Sequence, residues 1–298
     1  AGDVAYIKGS IVTIVNQDAF AAEVTMEGDV TPSQLIIQGH DLNVSGNMNL
    51  LNDGSSTIDV EYQTANTVTV GGNVNLSGTR EMNITLADNA SLDVLYDFNV
   101  TSKSGAIGEN KITLNSDASL TVGDELILTE EATGAKTTID VNDADLIVAN
   151  DVLISASSDN KIELDFNNSS FKLGGDLSRG VPSYGILEMD ANSIIELNGY
   201  TPQSIAGDAG AGADVFSYSN IHLKNTWGAE PQITMTGAIT VTKEINFEDG
   251  VIGSDQVNIL ILTDNVIVSG MNNDSYVNGF VRKIGNSAFE FPVGDGGV

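Results

Sequence analysis

The sequence predicts an all-β fold: a single-stranded right-handed parallel β-helix, or β-solenoid, with three short strands per turn of about 25 residues. Three observations carry this. The apolar residues are mainly Val, Ile and Leu, which suit pleated, half-buried surfaces. Gly, Asn, Asp, Ser and Thr crowd between short apolar runs, and no segment keeps the i, i+3, i+4 spacing of a helix. The chain also falls into register with itself.

That register begins at Leu42. LNVSGNMNL, VTVGGNVNL, LDVLYDFNV, LTVGDELIL, LIVANDVLI and FKLGGDLSR start at Leu42, Val68, Leu92, Leu120, Leu146 and Phe171, and a further rung starts at Ile195. Successive offsets are 26, 24, 28, 26, 25 and 24 residues. Each line holds two strands with two inward residues flanking one outward residue, because side chains alternate with period two. A third apolar pair follows in each unit: Ile58/Val60, Ile84/Leu86, Ile112/Leu114, Ile139/Val141, Ile162/Leu164 and Leu187/Met189. One such coil cannot bury its own apolar side. Stacked at ~4.8 Å per rung, the coils make three parallel sheets around one core. The right hand follows from the strong preference of parallel crossovers.

The expected layout is one continuous solenoid over 1–298, of about eleven turns. Residues 1–41 form irregular N-terminal rungs (Ile11–Val15, Val24–Met26, Leu35–Ile37), 42–197 the regular repeats, and 198–298 looser rungs ending in the FPVG segment. In the last part, strands are expected at Ile221–Leu223, Ile233–Met235, Ile239–Val241, Ile245–Phe247, Leu260–Leu262 and Val266–Val268, with Gly207–Ala213 looping out.

Composition narrows the function. Twelve basic residues face 41 acidic ones, for a net charge of −29, so polyanionic nucleic acid and anionic membrane surfaces would be repelled. The absence of cysteine removes disulfides, zinc–thiolate sites and thiol nucleophiles. No run approaches the ~20 apolar residues of a membrane span, so insertion is not expected.

Stacking creates columns. Asn47, Asn73, Asp97, Glu125, Asp151 and Asp176 share the corner after the first strand, where Asn and Asp tolerate left-handed backbone and bond locally. Its acidic part, Asp97, Glu125, Asp151 and Asp176, places like charges ~5 Å apart, which raises carboxyl pKa values or recruits a cation. Asp140, Glu163 and Glu188 are expected as a second acidic column in the middle of the third strand. Calcium, which takes six to eight oxygens, is the natural candidate for both sets. It is an option and not a requirement, because no DxDxDG loop or GGxGxD repeat occurs. Asn49, Asn75, Asn99, Ile127 and Leu153 form the outward column of the second strand.

An enzyme is disfavoured. Acidic columns supply carboxylate pairs such as Asp140 with Glu163, at spacings glycoside hydrolysis can use. Yet aromatic stacking groups are scarce, with Trp227 the sole tryptophan, and Arg and Lys never cluster in the repeats. His40 and His222 stand near no Ser-centred elbow and no second histidine. GDAGAGAD (Gly207–Asp214) lacks the lysine of a phosphate loop.

The C-terminal third carries a more specific pattern. Asn198-Gly199, Gln203-Ser204-Ile205-Ala206-Gly207, Phe216 with Ser219-Asn220-Ile221, and SYVNGFVRKIGNSAFEFPVGDGG from Ser275 to Gly297 resemble β-helical regions of large secreted and cell-surface proteins of Bacteroidota. The resemblance implies an extracellular or cell-surface place, adhesin-like multidomain parents exported by type IX secretion, and a chain that is part of something larger. It implies no catalytic residues. The expected function is a non-catalytic structural or adhesin-type module, a rigid stalk or surface-binding region. Its partners would be glycans, surface proteins or further copies of itself. A polysaccharide lyase or glycoside hydrolase, and a calcium-stabilised surface-assembly module, are the alternatives.

Overall fold

Short apolar runs separated by turn residues leave the chain nothing to form but strands. The computed structural model describes residues 3–63, 65–131, 134–158, 161–180, 184–208 and 216–294. Among the described residues there is no helix, and the strands lie in three sheets. A twelve-stranded sheet runs from Val4–Lys8 to Val277–Asn278, an eight-stranded one from Ile11–Ile14 to Ile186–Met189, and a thirteen-stranded one from Ala19–Ala21 to Val281–Lys283. Neighbouring strands are parallel throughout, from the first pair to the last. The chain is a β-solenoid of stacked coils, about ten turns where about eleven are expected.

The core is the self-similarity made physical. Leu42, Val68, Leu92, Leu120, Leu146, Phe171, Ile195 and Ile221 are successive register partners in the thirteen-stranded sheet. All are buried. Equivalent aliphatic stacks from the other two sheets complete an apolar cluster running from Ile7 to Val277. Phe166 and Phe171, on the two sides of one corner, stack at 5.2 Å with their planes 12° apart.

The eight-stranded sheet corrects two expected pairs. Val60, Ile84, Ile112, Ile139, Leu164 and Leu187 are the true partners, followed by Tyr62, Leu86, Leu114, Val141, Phe166 and Met189. Ile58/Val60 and Ile162/Leu164 were therefore set two residues early. A slip of two keeps the same side chains inward, so the hydrophobic pattern cannot see it; only the hydrogen-bond register fixes it.

Left-handed backbone also lies elsewhere than expected. Asn89, Asp117, Asp143 and Asn168 hold φ of 50° to 60° at the corner between the eight- and thirteen-stranded sheets. Asn and Asp adopt this region more readily than other side chains. No residue of the Asn47–Asp176 column has a positive φ.

Past Met189 this corner straightens. Phe216 bridges to Leu187, and Tyr218–Lys224 continues into the thirteen-stranded sheet through register shifts. The two strands expected at Ile239–Val241 and Ile245–Phe247 are one, Ile239–Asp249. It pairs Leu260–Leu262 near its start and Ile267–Ser269 further on. Thr242-Lys243-Glu244 offers no turn residue, so the strand does not break. Val4–Lys8 and Ala19–Ala21 are further strands that the sequence pattern did not single out. Of the expected Gly207–Ala213 loop only Gly207 and Asp208 are described; the rest lies outside the described residues. In the tail, Val277 donates its N–H to the Pro292 carbonyl at 2.7 Å, joining the SYV and FPVG segments.

Close stacking leaves some corners no room for a side chain. A Cβ on Gly174 would sit 2.0 Å from the carbonyl oxygen of Ala149 in the coil before. Because backbone must move, Gly174→Ala is expected to cost about 1–3 kcal/mol, read as a lower midpoint in urea unfolding.

Candidate functional site

The corner column stands as the spacing predicts, with a definite use for its side chains. Asn47 accepts the backbone N–H of Asn73 through Oδ1 at 2.9 Å, and Asn73 accepts that of Asp97 at 3.3 Å. Asp97 accepts that of Glu125 at 3.4 Å, Asp151 that of Asp176 at 2.7 Å, and Asp176 that of Ser204 at 2.6 Å. The second oxygen of Asp97 takes the Asn73 amide at 3.2 Å. Asn47, Asn73, Asp97, Asp151 and Asp176 thus each cap a backbone donor of the next coil that the turn leaves unpaired.

Charge accumulates where Asn gives way to acid. Partial burial raises the Glu125 carboxyl above its ordinary value, and the Asp151, Asp124 and Asp97 carboxylates push it further. Burial likewise raises Asp176, against the stabilising Ser204 N–H and with help from Asp151. An acid raised in the folded state contributes most below its unfolded pKa and loses that contribution as pH rises through the folded value. These two carboxyls therefore add stability as pH falls from about 7 toward the ordinary carboxylate range near 4, read as the difference in thermal midpoint between the parent and a variant that lacks them. The combined Glu125→Gln, Asp176→Asn variant should melt higher than the parent at neutral pH and show a flatter profile. Asp264 behaves oppositely. Ser287 and Lys283 hold its carboxyl down at about 2, so its contribution persists until far stronger acid.

The second acidic set is rearranged. Asp140 pairs in register with Asp165, and Asp165 with Glu188. Glu163 lies opposite Thr138 and Ile186, one outward position earlier. Asp165 was missed for the same two-residue slip that misplaced Leu164. Burial raises its carboxyl, Asn167 offsets this in part, and Asp140, Glu163 and Asp190 add to the rise.

Asp140 and Glu163 each have a lysine partner. Lys111 binds Asp140 at 2.6 Å, and Lys136 binds Glu163 while lying 3.9 Å from Glu109. The hollow beside Lys111 is lined by further carboxylates, already engaged: Glu61 accepts from Gln34 at 2.7 Å and Asp59 from Asn83 at 2.9 Å. Among the described residues, no three His, Cys, Asp or Glu side chains gather as metal ligands would. In the acidic corner Asp97 accepts hydrogen bonds with both of its oxygens, and Asp151 and Asp176 each with one.

Comparison adds no relative. No protein-family model, no curated protein and no solved structure matches this chain.

The remaining candidates resolve simply. His40 lies 3.4 Å from Asp18 at an exposed corner, and His222 sits between Glu196 and Asn246 in register. Neither has a second histidine or a serine beside it in these contacts. Asn49, Asn75 and Asn99 form an amide ladder that starts on Glu23, with steps of 2.8, 2.9 and 3.0 Å. Ile127 and Leu153 continue that column half-buried. Most of GDAGAGAD falls outside the described residues. Among the described residues, no helix is long and apolar enough to cross a membrane.

Proposed function

We propose that this chain is a non-catalytic structural module of adhesin type, a rigid stalk or surface-binding region that acts outside a bacterial cell. In this reading the solenoid is a right-handed β-helix with three strands per turn over its regular repeats. The supporting observation is how the outward polar side chains are used. They bind along the stack, in the Asn49–Asn75–Asn99 ladder, the corner column and the Lys111–Asp140 pair. Side chains that hold neighbouring coils together stiffen a rod and are poorly placed to exchange protons with a substrate. A surface of net charge −29 suits solubility in a salty exterior, and the Ser275–Gly297 pattern supports a cell-surface place.

Incubation with acidic and neutral polysaccharides, followed by assay for new reducing ends and unsaturated products, tests the absence of catalysis. No product is expected. Product that disappears in the Asp140→Asn, Glu163→Gln double variant would overturn the reading. Antibody labelling of intact cells that make the protein tests its place, with surface staining expected.

A further inference from the structure

Trp227, the chain's one tryptophan, is 39% exposed, and Tyr200 is 80% exposed. Large rings held in water forgo the burial that usually places them inside. The two hold equivalent places on neighbouring coils. Gly199, immediately before Tyr200, accepts the backbone N–H of Thr226, immediately before Trp227, at 3.1 Å.

Both loops are pinned from inside. The Trp227 N–H donates to Asn225 Oδ1 at 2.9 Å, and its carbonyl accepts from Gln232 Nε2 at 2.9 Å. Around Tyr200, the Gly199 N–H donates to Gln203 Oε1 at 3.0 Å and the Thr201 carbonyl accepts from Asn225 Nδ2 at 2.9 Å. Asn225 also donates to Gln203 Oε1 at 2.7 Å, so one amide pair fastens both loops. Asn225, Gln203 and Gln232 are buried, and Gly228, next to the indole, has open space around it.

We propose that Tyr200 and Trp227 form an aromatic platform for a neutral glycan. Sugar rings offer C–H faces to aromatic faces and hydroxyls to a polar rim, here the exposed Thr201, Thr226 and Glu230. The chain's net charge of −29, with Glu230 at the rim, repels uronic-acid polymers and selects neutral chains. Pinned loops lose little freedom on binding, which lets a small platform hold a ligand. The inference deepens the adhesin-type reading, on which it rests, by naming the class of ligand.

Trp227 emission reports on the platform directly, because no second tryptophan competes. Titration with cellohexaose, xylohexaose and mannohexaose is expected to give a saturable spectral shift with at least one, and none with polygalacturonate. Tyr200→Ala should weaken that binding about tenfold. Trp227→Ala, read by calorimetry, should abolish it, and both variants should melt as the parent does. The platform is overturned if no neutral hexaose shifts the emission, if Tyr200→Ala binds unchanged, or if polygalacturonate binds better. Product analysis on the same mixtures separates the two readings. Binding with cleavage overturns the non-catalytic reading and keeps the platform; neither binding nor cleavage overturns the platform alone.

Discussion

Phe166→Ala is expected to be the most damaging of the single aromatic truncations in the core, lowering stability by about 3–5 kcal/mol. The ring is fully buried, stacks on Phe171 at 5.2 Å, and lies in register between Val141 and Met189. A cavity there is bounded by backbone hydrogen-bonded to the coils on both sides. Those coils cannot close on it without breaking register, so most of the cavity cost remains. Urea unfolding followed by far-ultraviolet circular dichroism measures the loss. A change below about 1 kcal/mol, the cost of a well-tolerated substitution, would show that the coils slide to fill the space.

Gln203→Met should come close to it by a different route. Gln203 is buried and makes four hydrogen bonds: Nε2 to the carbonyls of Leu173 at 2.9 Å and Gly175 at 2.8 Å, and Oε1 from the Gly199 N–H and the Asn225 amide. Methionine keeps the volume and removes all four. Each buried group left unpaired costs about 1–3 kcal/mol, and local rearrangement returns part of that, so about 3 kcal/mol or more is expected in urea unfolding. Hydrogen exchange at the Gly199 amide should accelerate together with it. Intact protection at that amide would mean that another acceptor holds the corner.

The repeat was legible because burial writes it into the chain. Leu42, Val68 and Leu92 must be apolar to share one interior, and their spacing sets the coil. What the sequence hid was whatever leaves that pattern unchanged. Ile162, Leu164 and Phe166 all point inward, so apolarity alone could not say which of them faces Ile139. Asp165 vanished with that choice, and Glu163 was put in the wrong column. The corner Asn and Asp residues were found, but not their chemistry. Asn47 and Asn89 are the same residue type in similar polar surroundings, yet one accepts a backbone N–H and the other turns the chain with φ of 60°. The straightened corner beyond Met189 left only a faint trace, the missing turn residue between Val241 and Ile245. Lys111 and Lys136 looked scattered along the chain, and only the fold shows that each meets a carboxylate. Trp227 and Tyr200 are 27 residues apart and read as isolated rings until the stack puts them on neighbouring coils.

The in-register stack also makes length an independent variable. Ser119 and Asp145 are partners, so joining Ser119 to Leu146 excises one complete coil and brings the outer coils together with their inward apolar positions still matched. The reverse operation inserts one. Such a molecule can be lengthened or shortened in steps of ~4.8 Å, the thickness of a strand layer, while the cross-section and both end faces stay as they are. Reach becomes a matter of how many times a unit is copied.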